Sequence, residues 1–242
     1  MKRLTLSTNF LRPLLFVVML AGASLTCAGK ETVSLHYLKP GTPDAATLLA
    51  PPPLADSAEQ GADLNTVRTV HRAASDADKQ AAYAEKKFSV FNFTAAAGPF
   101  FVETNLPQTA VFFEKVQKDA ETVTDLGKEY FQRPRPFMTD PNLANGKLEK
   151  SFSYPSGHST ESMVLALVLA EILPDKHDAI LAHARRMGWH RVQIARHYPT
   201  DIYAGRVLAQ AIVRELKKSE TFEMELAEAK AEIEAARHAA NN

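Results

Sequence analysis

The stretch PSGHSTESMVLALVLAEI, residues 155–172, sets the reading of this chain. Pro155, Ser156, Gly157 and His158 present a hydroxyl, a glycine amide and an imidazole at a helix entrance. Ser159–Ile172 is a largely apolar run without glycine or proline, as a buried helix requires. The first turn of a helix has N–H groups with no intrahelical partner and carries the positive end of the dipole. It therefore favours anions, phosphate included. Ser156 and Gly157 would supply donors there, and His158 can pass a proton. Taken alone, the tetrapeptide is equally an ordinary capping turn.

Outward from this stretch, helical patterns fill most of the chain. Ala58–Lys87 reads as helical, with Leu64, Val67, Val70, His71 and Ala74 near helical spacing. Leu106-Pro107 opens another helix, whose apolar face is Val111, Phe112, Val116, Val123, Leu126 and Tyr130. That helix puts Lys128 near its C-terminal end, before the run Arg133-Pro134-Arg135-Pro136 stops it. Downstream, the helix after the tetrapeptide ends near Leu173-Pro174, and a new one runs from about Asp175 through Val192. Pro199 breaks it, and Thr200 or Asp201 begins the next. Phe88–Phe101 is aromatic-rich and reads as core or as a substrate-facing wall, with core packing the expected role. Asp140–Lys150 is a polar loop that could border a site. After Lys218, Phe222, Leu226, Ala229, Ile233 and Ala236 form one apolar stripe, which docks either on its own domain or on a second copy. No alternating strand run of useful length is found. The expected fold is all-α, a single-domain helical bundle with long connections. An extended arm occupies residues 29–57, a catalytic helical domain 58–218 and a helical tail 219–242.

The first 28 residues read as a signal peptide. Lys2, Arg3 and Arg12 precede an apolar stretch from Leu14 to Leu25, followed by small residues. Cleavage after Ala23 or Ala28 fits, and the run is too short to span a bilayer comfortably. Cys27 raises a lipoprotein alternative, although Ser24-Leu25-Thr26 is a poor lipobox. The expected location is periplasmic or secreted, with no stable membrane insertion. With 28 basic and 28 acidic residues the chain is formally neutral, which argues against a nucleic-acid partner.

Three segments recur in a fixed order: Lys128-x6-Arg135-Pro136, then Pro155-Ser156-Gly157-His158, then Arg191-x5-His197-x3-Asp201. This order resembles the three-part signature of the type-2 phosphatidic acid phosphatase superfamily. That superfamily also takes in vanadium haloperoxidases and bacterial class A non-specific acid phosphatases. Leu38-Lys39-Pro40-Gly41, leading to Leu48-Leu49-Ala50-Pro51-Pro52-Pro53, looks like the start of the class A secreted enzymes. The resemblance covers roughly Tyr37 to Leu216 and implies the helical fold of the acid phosphatase and vanadium haloperoxidase type.

A phosphomonoester presents an anion that must be held while one P–O bond breaks. Lys128, Arg135 and Arg191 suit it, since an arginine fork binds two oxygens, and Ser156 with the Gly157 amide would complete the cradle. The resemblance implies that His197 takes the phosphoryl group as a phosphohistidine, that Asp201 orients it, and that His158 protonates the leaving alkoxide and later activates water. Such a pair, one imidazole unprotonated and one protonated, implies a bell-shaped pH profile. No metal or other cofactor is expected; vanadate would act as an inhibitor.

Blander readings stand beside these. Lys128 alone could be an exposed helix-end cation, and His197 with Asp201 a mere surface pair. Arg133 also precedes a proline; motif spacing selects Arg135 and leaves Arg133 as a rim residue. His183, His190 and His71 have no motif support. The third segment of the family usually begins Ser-Arg, whereas His190 precedes Arg191 here. An imidazole there is expected to weaken or reshape a phosphate contact and to add a titrating group beside the anion. The expected activity is a secreted, metal-independent acid phosphatase acting on a small phosphate ester, its oligomeric state open. The alternatives are a vanadium-dependent haloperoxidase with vanadate as cofactor, a lipid or isoprenyl pyrophosphate phosphatase, and a non-catalytic phosphate-binding protein.

Overall fold

In the computed structural model, which describes residues 35–241, ten α-helices follow one another. They are α1 (Ala45–Leu48), α2 (Ala58–Ala73), α3 (Asp76–Ala84), α4 (Thr94–Ala97), α5 (Pro107–Phe131), α6 (Pro136–Thr139), α7 (Gly157–Ile172), α8 (His177–Gln193), α9 (Pro199–Leu216) and α10 (Glu220–Asn241). Short 3₁₀ turns join several of them, and no strand occurs among the described residues. The fold is all-α. The leader reading, both cleavage sites, Cys27 and residues 29–34 of the arm lie outside the described range. No helix among the described residues is long and apolar enough to cross a membrane.

A helix that is apolar all round has no face to give to water, so it belongs in the centre of a bundle. Twelve of the sixteen residues of α7 are buried, and α5, α8 and α9 surround it. Ser156 caps its N-terminus, accepting the Ser159 N–H at 3.4 Å. Glycine allows α9 to come close there: a Cβ on Gly205 would lie 2.8 Å from the Ser156 carbonyl oxygen and 3.0 Å from Ser159 Cβ. The start of α7 is thereby fixed against α9, which carries Asp201.

Several boundaries differ from the sequence reading for local reasons. The helical pattern over 58–87 is two helices, because Ser75 and Asp78 form a capping box that starts a new one. Pro199 occupies the first position of α9 instead of preceding it, where its missing N–H costs nothing. On α5 the buried face is Thr109, Phe112, Phe113, Val116, Asp119, Ala120 and Val123, while Val111, Leu126 and Tyr130 are exposed. Of the six positions expected on the apolar face, Phe112, Val116 and Val123 are inside; counting apolar residues added the other three and missed the small and polar residues that share the inner face.

Asp119 explains one of them. Its buried carboxylate accepts the N–H groups of His36, Tyr37 and Leu38 at 2.7, 2.8 and 2.9 Å, pinning the chain ahead of α1 to α5. The stripe on α10 is buried against the same helix, with Phe222 packing on Phe112 and Tyr37. The aromatic segment divides its roles: Phe93, Phe100 and Phe101 are core, whereas Phe88 faces the site described next.

Candidate active site

Six of the eight residues singled out by the motifs line one cavity of about 710 Å³: Lys128, Arg135, Gly157, His158, Arg191 and His197. They come from the end of α5, the turn before α6, the start of α7, the last turn of α8 and the loop before α9. Ser156 and Asp201 stand just behind the wall, both fully buried. A second cleft of about 640 Å³, between Leu48–Leu54 and Tyr203 and Val207 of α9, is mainly apolar and holds none of the motif residues.

His197 is held from both sides. Its Nδ1 faces Asp201 Oδ2 and Ser153 Oγ, each 3.4 Å away, and its Nε2 lies 3.2 Å from Arg135 Nη1. A guanidinium can only donate, so Nε2 carries the lone pair and Nδ1 the proton. Burial, then the positive charges of Arg135, Arg191 and Lys128, hold the His197 pKa well below the ordinary imidazole value. Asp201 Oδ2 accepts from Ser153 Oγ at 2.5 Å and from the Tyr198 N–H at 2.9 Å. Burial pushes the Asp201 carboxyl up, while Arg133, Ser153 and the Tyr198 amide pull it back.

Arg133 is not on the rim. It is buried behind Asp201, with Nη1 2.5 Å from Asp201 Oδ1 and 2.7 Å from Thr200 Oγ1. Its Nη2 donates to Gln60 at 2.6 Å and Asp63 at 2.8 Å, and its guanidinium lies 3.9 Å from the Tyr198 ring centroid. The two arginines of the Arg-Pro-Arg-Pro run therefore divide. Arg133 compensates the carboxylates behind the site, and Arg135 faces the cavity.

Arg135 is aimed by Ser151, whose carbonyl and hydroxyl accept from Nε at 2.7 Å and Nη2 at 3.0 Å. Burial pulls the Arg135 pKa down, partly offset by Glu149 and Asp201. Arg191 donates from Nη2 to Glu149 at 2.8 Å, and its buried Nε has no partner. Its pKa is brought down to about 10, chiefly by burial. Lys128 Nζ contacts Asp125 at 2.7 Å on the same helix. A Cβ on Gly157 would sit 3.3 Å from that ammonium and 3.1 Å from Glu161 Oε1, so a side chain there would have to shift both groups at the helix start.

His158 Nε2 donates to the Glu85 carbonyl at 3.0 Å, and its ring packs on Phe88 at 5.2 Å between centroids. Burial, with Arg191 and His197 nearby, holds its pKa well below the ordinary value. His190 does not line the cavity. Its Nδ1 lies 2.8 Å from Glu85 Oε2, so it adds no titrating group to the cavity wall, contrary to the expectation above. His71 is structural, its Nδ1 donating to the Gln193 carbonyl at 2.7 Å.

Five residues carry no motif signal yet shape the site. Ser151 and Ser153 precede the tetrapeptide, and only their spatial partners mark them out. Glu149 bridges Arg191 and Arg196, and the buried Arg196 guanidinium also holds the carbonyls of Asn145 and Lys147. Glu161 projects into the cavity, accepts from Gln117 Nε2 at 3.1 Å, and has its pKa raised to about 7 by burial. Among the described residues no group of three His, Cys, Asp or Glu side chains is arranged to hold a metal ion. Chemically, the cavity can hold an anion against three cations and a helix start, with an unprotonated imidazole nitrogen on its wall beside Arg135 and a second imidazole at hand.

A family model described as the PAP2 superfamily matches residues 119–222. A non-specific acid phosphatase from Providencia stuartii is 34% identical over 215 residues, covering 82% of this chain and 85% of its own length. An acid phosphatase from Zymomonas mobilis is 29% identical over 249 residues, covering 93% and 92% respectively. Among solved structures, a transmembrane PAP2-type phosphatidylglycerolphosphate phosphatase from Bacillus subtilis aligns at 21% identity with a TM-score of 0.49, over 72% of this chain and 89% of that one.

Proposed function

The chain belongs to the PAP2 superfamily, and from that premise we propose that it is an acid phosphatase hydrolysing phosphate monoesters through a phosphohistidine. The observation that carries this reading is His197: an imidazole on the cavity wall, its unprotonated Nε2 beside Arg135 and its Nδ1 backed by Asp201. Relatives named acid phosphatase over most of their length support the reaction class.

The phosphate would sit between Lys128, Arg135, Arg191 and the Gly157 amide. Nε2 of His197 attacks phosphorus, the bond to the ester oxygen breaks, and the three cations hold the charge on the equatorial oxygens. Asp201 stabilises the positive charge that develops on the imidazole. His158 gives its proton to the leaving alkoxide, then takes one from the water that hydrolyses the phosphohistidine. Burial first, then the charge of Arg191, holds the His158 pKa down; a phosphate dianion bound beside it would oppose the cations and raise it. Substrate thus helps charge its own acid.

The charged and then apolar leader supports export to the periplasm or medium. Vanadate, which mimics the trigonal-bipyramidal phosphorus, would inhibit. The test is phosphate release from p-nitrophenyl phosphate between pH 4 and 8 with a chelator present, for the mature protein and His197→Ala. Metal-independent turnover lost in the variant supports the reading. Equal activity in both removes His197 as nucleophile.

A further inference from the structure

His158 has a partner that no motif specifies. Its Nε2 donates to the main-chain oxygen of Glu85 at 3.0 Å, and a carbonyl can only accept. The Nε2 proton is therefore committed, and Nδ1 is left as the nitrogen that gains and loses a proton. Glu85 is the last residue before the segment Lys86–Phe88, all of which lines the cavity, and it caps the C-terminus of α3. A carbonyl at a helix end is a loose support unless something else holds it. The Glu85 side chain is held: it is buried, and its Oε2 lies 2.8 Å from His190 Nδ1 on α8. One residue therefore joins His190 to His158, accepting from one through its side chain and from the other through its backbone. Arg191, the next residue on α8, lines the same cavity.

We propose that Glu85 and His190 are positioning residues for His158: the His190–Glu85 contact holds the Glu85 carbonyl where it fixes the His158 tautomer, so that Nδ1 performs the proton transfer. This rests on His158 being the proton donor of the proposed phosphatase. The histidine at 190 then holds the residue that contacts the acid, in place of the phosphate contact expected of a serine there.

Protonation of the leaving group matters most for poor leaving groups. The test is therefore turnover of a series of phosphate monoesters, from p-nitrophenyl to simple alkyl phosphates, by wild type, His190→Ala, His190→Asn and Glu85→Ala. His190→Ala and Glu85→Ala should each lose about tenfold more activity on alkyl esters than on p-nitrophenyl phosphate, part of the 10²–10⁴-fold that a general acid supplies. His190→Asn, whose amide N–H stands where Nδ1–H stood, should recover most of that difference. Equal losses on all esters, or no rescue by asparagine, overturn the proposal. Nitrogen-15 NMR of the His158 ring gives a readout independent of turnover: wild type should hold one tautomer with the proton on Nε2, and His190→Ala should mix the two. An unchanged ring spectrum in His190→Ala overturns the positioning role. Inert wild type with a mixed-tautomer variant would instead sink the phosphatase reading and leave the positioning role standing.

Discussion

Arg133 Nη1 lies 2.5 Å from Asp201 Oδ1, with both side chains buried, and the same guanidinium also neutralises Asp63. Asp201 in turn faces His197, so the orientation of the proposed nucleophile depends on a cation that never reaches the cavity. Arg133→Met should leave two carboxylates uncompensated and cost about 3–5 kcal/mol, read as a lowered urea midpoint. Arg133→Lys should recover little, because an ammonium lacks the fork that serves Asp63, Gln60 and Asp201 together. A loss below about 1 kcal/mol would mean that the buried pair adds little net stability.

Gly205 is where α9 meets the start of α7. Gly205→Ala would push a methyl to 2.8 Å from the Ser156 carbonyl, a backbone atom that cannot swing away. The expected cost is about 1–3 kcal/mol, together with a fall in kcat from displacement of the helix start relative to Asp201. Wild-type stability and turnover in this variant would show that the contact relaxes freely.

Stability should fall with pH on the acid side. Both His158 and His197 have folded pKa values held well below 6.5, first by burial. Below about pH 6.5 the unfolded chain protonates both imidazoles while the folded chain does not, so acid favours unfolding. Each contributes a slope of about 1.4 kcal/mol per pH unit until its folded pKa is reached. Denaturation midpoints measured from pH 7 to 5 should decline, and His197→Gln should decline less steeply. Inorganic phosphate should offset the loss if the folded cavity binds it as proposed.

Glu161 should work in the opposite direction. Burial raises its pKa to about 7, so it is neutral in acid and becomes a carboxylate beside Lys128 and Gly157 as the pH rises. Stability that is complete below the unfolded carboxyl value of 4.5 is then lost progressively up to pH 7. The new charge also repels a phosphate. Glu161→Gln should leave the inhibition constant for phosphate nearly unchanged at pH 5 and tighten it several-fold at pH 8. Equal effects at both pH values would sink this account.

What the sequence by itself determined was the family, the helical character and a set of residues that meet in one cavity. An apolar run without a polar face must be central, and α7 is surrounded by α5, α8 and α9. The spacing of Lys128, Arg135, His158, Arg191 and His197 named residues that share one cavity. Where the reading slipped, the deciding interaction lay between residues distant in the chain. Val111 and Leu126 looked like core because hydrophobicity was counted without knowing that Asp119 holds the His36–Leu38 segment on the inner face. Motif spacing picks Arg135 over Arg133 for the cavity; only Asp63 and Asp201, brought in from α2 and α9, put Arg133 behind the wall and not on its rim. His190 looked like a defect in a phosphate contact until Glu85, 105 residues away, supplied its partner. Tertiary structure alone decided these roles, because a charged or polar side chain takes its function from whichever group is brought within hydrogen-bonding distance, and no local pattern encodes that meeting.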